Sequence, residues 1–264
     1  MAAHSVPKRF ALAAPQVQDF RKLLTQAMSE KDPQGRTWAD ARWGCYAFYD
    51  YDGEPIYVGQ TNEKLRTRIG RHLTNQRSDA VAMRILDIFE VAEMELWPLW
   101  DLQDTPKKDE AAREQLDTLE YSAYLHAIDG SRFNAILNEK IPPLSEPAAL
   151  PPSRRFKLIS DATRRERGHP DVRIARRAET LSRLTAVAHE RGVVSAGLRR
   201  VIVIQAVRLA HLAASRFAHA QGLPAPSADA ISIEALVGTV LQEHAGSQSA
   251  VDDPDAEGSD SDTD

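Results

Sequence analysis

The chain has 264 residues, 42% hydrophobic and 27% charged, a make-up that suits a globular protein able to bury one or two cores. No uninterrupted apolar run approaches the roughly 20 residues of a membrane span, and the single cysteine, Cys45, excludes an intrachain disulfide or a multi-cysteine zinc site. The net charge of −5 hides a segregation: the last fourteen residues hold seven acids and no base, while residues 153–200 hold thirteen Lys or Arg against five Asp or Glu. A basic block suits a polyanionic partner, and an acidic tail suits disorder or self-masking; a solvated arginine-rich helix surface is the plain alternative. The opening MAAHSVPKRFALAAPQ has too short an apolar patch for a secretory signal. With one cysteine, a reducing, cytoplasmic setting without membrane is expected.

In chain order, Pro15 and the spacing of Val17, Phe20, Leu23, Leu24 and Met28 predict a helix over 15–30. CYAFYD and PIYVG predict two short strands joined at Asp52-Gly53, a strong hairpin signal. Leu65, Ile69 and Leu73 then switch to a helical period over 63–75, with Arg68, Arg71 and His72 on the flank. A short helix over 79–87, a half-buried strand over 89–97 and a long helix over 107–128, stopped by Gly130, follow. Five prolines in residues 141–153 predict a semi-rigid linker and a domain boundary. Beyond it, helices over 175–192, 196–222 and 231–246, each ending at glycine, predict a small all-helical domain. The expected organisation is an N-terminal helix and loop (1–40), an α/β domain (41–140), the linker, a basic helical domain (154–246) and an acidic, disordered tail (247–264).

The hairpin and the elements after it carry an ordered set of polar residues. Gly44-Cys45-Tyr46 and Tyr57-Val58-Gly59 resemble the two namesake tripeptides of the GIY-YIG nuclease superfamily, with the phenols eleven positions apart. That superfamily includes repair incision enzymes, homing endonucleases and some restriction endonucleases. Its helix arginine, three residues after an apolar one, matches Arg68 after Leu65, and the histidine of homing-type members matches His72. Its helix glutamate matches Glu120 and its later asparagine matches Asn134, so the resemblance covers roughly residues 42–138. Cys45 replaces the usual aliphatic residue, a conservative change for a small buried hydrophobe. The stretch between Tyr57 and the arginine is one residue longer than in many repair members. Arg66 is therefore the alternative to Arg68, which keeps the helix register to His72.

The resemblance implies an α/β (α+β) fold with a small sheet of about three strands flanked by helices, and a metal-dependent endonuclease that hydrolyses DNA. Tyr46 would be general base or water-positioner, Tyr57 would orient water or phosphate, and Asn134 would brace the site. Glu120 would hold Mg²⁺ or Mn²⁺, with waters filling most of the shell. The chemistry suits the residue types: arginine can make two bonds to phosphate oxygens and keeps its charge. A phenol, resting near ~10, is a poor base unless cations such as Arg68, Arg66 and a metal lower it. His72 reads equally as a proton shuttle or a packing histidine, and Gly44 and Gly59 as relief of strand crowding. Arg66, Arg71, Arg154, Arg155, Lys157, Arg164, Arg165, Arg176 and Arg177 are the candidate phosphate contacts. A helical bundle for homodimerisation is the other reading of the C-terminal part. A catalytically silent nucleic-acid-binding protein, or a subunit of a defence or repair complex, is the other reading of the whole.

Overall fold

The computed structural model describes residues 13–74 and 87–241. Helix α1 (Pro15–Ser29) turns Leu24 and Ala27 inward. Strands β1 (Gly44–Tyr49) and β2 (Pro55–Thr61) form the expected hairpin. Its turn is organised by Asp50, whose Oδ1 accepts from the backbone N–H of Asp52 at 2.7 Å and of Glu54 at 3.0 Å. Gly53 follows at φ 81°, so the YDYDGE sequence supplies both the Asx-type turn and the residue that tolerates positive φ. Helix α2 (Leu65–Thr74) buries Leu65, Ile69, His72 and Leu73. Strand β3 (Glu93–Pro98) comes next, preceded by a single 3₁₀ turn where the sequence predicts strand. Helix α3 (Glu110–Asp129) starts at an Asp109 cap that accepts from Ala112 N–H at 2.8 Å.

The sheet has four strands rather than about three. Its order is β2-β1-β3-β4, antiparallel throughout, and β4 is Arg154–Lys157. These four residues were expected to open the helical part. They instead alternate Phe156 inward against exposed Arg154, Arg155 and Lys157, the period of a strand. Helices α4 (Asp161–Arg167), α5 (Pro170–Arg191), α6 (Ala196–Ala220) and α7 (Ile233–Val237) complete the described chain. The proline-rich stretch marks no gap in the core. Leu184 of α5 and Leu198, Val201 and Ile204 of α6 lie in one buried cluster with Trp43, Met94 and Leu116. Most of the helix predicted over 79–87, the end of the last predicted helix and the acidic tail fall outside the described residues. By length and composition α6 could cross a membrane, although no apolar run of that length was read from the sequence. Its buried stripe of Leu198, Val201, Ile204 and Val207 packs into the core of the fold.

The hairpin tip is where the helices hold the sheet. Asp50 and Glu54 are each 2% exposed, a costly place for a carboxylate without partners. Asp50 receives Arg173 at 3.3 Å and also pairs with Arg177, which reaches Glu90 at 3.3 Å. Glu54 accepts from Ser131 Oγ at 2.6 Å and Arg132 Nε at 3.1 Å, with Arg208 at 3.5 Å. Arg208 also donates to the carbonyls of Pro55 (3.0 Å) and Ala135 (2.7 Å). Arg176 grips Asp87 through two bonds, at 2.8 and 3.1 Å. The buried arginines of α5 and α6 thus fasten the tip of the hairpin whose strands carry the phenols.

Candidate active site

Tyr46 and Phe48 point to one face of β1, and Tyr57 stands directly across from Phe48. Across from Tyr46 is Gly59, and the Tyr46 ring lies over it: a Cβ built there would come within 2.8 Å of the Tyr46 hydroxyl and 2.7 Å of the Tyr57 ring. Glycine is what lets the two phenols converge, with ring centroids 6.1 Å apart. Gly44 does the same for the strand beyond, since a Cβ there would meet the Trp97 carbonyl at 2.5 Å. His72, brought by α2, completes the aromatic cluster at 5.4 Å from the Tyr57 ring centroid.

The hydroxyl of Tyr46 lies 2.7 Å from His72 Nε2. Arg68, one helical turn before His72, also hydrogen-bonds the Tyr46 oxygen. An arginine only donates, so the phenol accepts from Arg68, while the tautomer of His72 sets which group donates between Tyr46 and Nε2. Burial, helped by the charges of Arg68 and Arg71, pushes the His72 imidazole down to about 3 and keeps it neutral. Burial also drives Tyr46 well above its usual range; the Tyr57 phenol adds to this and Arg68 offsets only part. Arg68 thus lowers the phenol as expected, but by less than burial raises it. Arg66 takes no part: it turns away to Asp40 at 2.9 Å and the Met28 carbonyl at 3.0 Å. Arg68 is therefore the arginine of the cluster.

Glu120 reaches the cluster from α3, along the outer side of β2. Strand β2 has β1 on one side only, so Val58 and Gln60 turn backbone groups away from the sheet. The Glu120 carboxylate accepts the Gln60 N–H, and Arg68's charge acts on it. Burial and then the nearby Asp117 charge push its carboxyl up to about 8. Among the described residues no group of three or more His, Cys, Asp or Glu forms a metal cluster. The donor set is a single half-buried carboxylate with a second acid close by. That hard-oxygen chemistry fits a hydrated Mg²⁺ or Mn²⁺.

The asparagine that braces this hairpin is Asn138, not Asn134. Asn138 Oδ1 accepts from Val58 N–H at 2.9 Å and its Nδ2 donates to Val58 O at 2.7 Å, closing both groups left open on β2. Asn134 sits exposed at φ 48°, the local turn that asparagine tolerates. The stretch between them is irregular, so sequence spacing alone did not distinguish two asparagines four residues apart. Asn138→Ala is expected to cost about 2–3 kcal/mol in urea unfolding, because it orphans a buried N–H and C=O together; Asn134→Ala should cost well under 1 kcal/mol.

Of the candidate phosphate contacts, most are committed within the molecule. Arg71 pairs with Glu63, Arg154 with Glu30 at 2.7 Å, and Arg155 and Arg164 with Glu93 at 2.7 and 3.2 Å. Arg177 belongs to the clamp on the hairpin tip and Arg176 pairs with Asp87 ahead of β3. Lys157 and Arg165 are exposed. The basic block thus combines buried fastenings at Arg173 and Arg177 with surface arginines that pair with acids of the same chain. Phe48, Gln60 and Asp117 were missed from the sequence; Gln60 adjoins Gly59, and Asp117 stands one turn before Glu120.

Compared with known proteins, residues 42–122 match the family model described as the GIY-YIG catalytic domain. No curated protein and no solved structure matches the chain.

Proposed function

We propose that this chain, a member of the GIY-YIG nuclease superfamily through residues 42–122, is a divalent-metal-dependent endonuclease that hydrolyses DNA phosphodiesters. The observation that carries the reading is the relay Arg68–Tyr46–His72 beside Glu120. A phenol held by a neutral histidine, with a fixed cation beside it, is an arrangement for positioning a water against a phosphate. In this reading the Tyr46 hydroxyl, held by His72 Nε2, positions the attacking water. Arg68 meets the charge that grows on the phosphate. Tyr57, half-buried and tilted towards Tyr46, orients the water or a phosphate oxygen. A divalent cation held by Glu120 would supply further positive charge to the phosphate and the leaving oxygen.

The silent-binder alternative would grip DNA through surface arginines, several of which also pair with acids of the same chain. A homodimer through the C-terminal helices is the proposed route to cutting both strands, and exposed Phe217, Leu223 and Leu236 provide apolar surface there. The test is a supercoiled-plasmid nicking assay with Mg²⁺ or Mn²⁺. Wild type should give relaxed product, and Tyr46→Phe should lower the rate by about a hundredfold or more. No product from wild type on several DNA forms with either metal would sink the proposal.

A further inference from the structure

One side of Glu120 carries polar groups that the mechanism above leaves unused. Gln60 stands directly across from Cys45 on the hairpin and immediately follows the glycine beneath Tyr46. Its main-chain N–H goes to Glu120, and its side-chain Nε2 donates to Asp117 Oδ1 at 2.7 Å. Asp117 and Glu120 are three residues apart on α3 and so come off one helix face. Two like charges are thereby tethered to a single residue of the sheet. Their proximity is also felt by Glu120, on which Asp117 is the foremost neighbouring charge. The other end of the same amide, Gln60 Oε1, is enclosed and accepts no hydrogen bond from any described group. Turning the amide over would set that oxygen against the Asp117 carboxylate. An acceptor oxygen and two acids on one side of a site disfavour one another, Arg68 offsets this only at Glu120, and a metal cation near Glu120 relieves all three.

We propose that Gln60 and Asp117 are positioning residues for the divalent cation at Glu120. Gln60 aligns both carboxylates through its main chain and its side chain, and Asp117 adds a second negative charge that strengthens attraction for the ion. The inference rests on the nuclease reading. It predicts that the pair governs metal affinity rather than the chemical step.

Two substitutions separate charge from alignment. Asp117→Asn keeps an oxygen for the Gln60 amide and removes the charge; Gln60→Ala keeps the charge and removes the tether, with its N–H to Glu120 intact. The readouts are Mn²⁺ uptake by the full chain without DNA, followed by the electron paramagnetic resonance of the unbound ion, and the Mg²⁺ dependence of plasmid nicking. Each variant is expected to bind Mn²⁺ about tenfold more weakly, the usual effect of losing an outer partner of a metal ligand. Each should need correspondingly more Mg²⁺ for half-maximal nicking, while the rate at saturating Mg²⁺ stays within about threefold of wild type. Wild-type Mn²⁺ affinity in both variants, alongside its loss in Glu120→Gln, would overturn the inference and leave the nuclease reading standing. Lower melting temperatures with unchanged affinity would reduce the pair to a structural tether and overturn it equally. No Mn²⁺ uptake by wild type would also overturn it, and the plasmid assay would then decide the nuclease reading by itself.

Discussion

Glu120→Gln is expected to abolish nicking, by about a thousandfold or more, and at the same time to make the metal-free protein more stable. The loss follows from removing the one carboxylate placed to hold the cation. The gain follows from burial. In the fold the Glu120 carboxyl is pushed up to about 8 from an ordinary 4.5, so between these values the folded chain binds the proton that the unfolded chain releases. Wild-type stability must therefore fall as pH rises through that window, by at most about 1.4 kcal/mol per pH unit from this group. Glutamine does not titrate. The advantage of the variant should open above pH 4.5, widen towards pH 8 and then level off. Thermal melts of both proteins in EDTA from pH 5 to 9 measure it. Saturating Mg²⁺ should then narrow the gap by stabilising wild type alone. A variant less stable than wild type across the whole range would show that the charged carboxylate is not costly where it stands.

Arg177→Ala is expected to destabilise the protein by about 3–5 kcal/mol and to leave the DNA affinity of the folded molecule unchanged. Arg177 is 7% exposed and shares the nearly buried Asp50 with Arg173. Truncating one member of a buried ion pair leaves its partner charged, enclosed and undercompensated, which costs far more than the pair itself contributes. The double substitution Asp50→Asn with Arg177→Met should recover much of the loss, because both charges leave together. Urea unfolding read beside DNA binding at fixed salt checks both halves. Unchanged stability with weakened DNA binding would return Arg177 to the role of a phosphate contact.

These two residues mark where the sequence could be read and where it could not. The hairpin, the helix after it and the set Tyr46, Tyr57, Arg68 and His72 were legible because they fall within about thirty residues. Over that distance, strand alternation and helix period fix which side chains share a face. Glu120 was legible in identity but not in state, since its burial comes from β2 rather than from its own helix. The acids that engage the basic block, Glu30, Asp50, Asp52, Asp87, Glu90 and Glu93, lie far upstream of their arginines. Composition saw one half of each pair and so suggested a polyanion outside the molecule. Strand β4 was hidden for a related reason: a four-residue run with three basic side chains has one inward residue, Phe156, to betray it.

That four-strand sheet has another consequence, for how copies of the chain behave towards each other. An outer strand with open N–H and C=O groups is a template on which a second molecule can add its own strand, the first step of edge-to-edge aggregation. Here β2 presents Val58 already bonded to Asn138 and Gln60 already bonded to Glu120, while β4 presents short, cationic Arg154, Arg155 and Lys157 to its open side. Both margins are guarded against strand addition, one by side chains of the candidate site and the other by charge. The residues that assemble the site on β2 thus also help to keep the protein from polymerising through it.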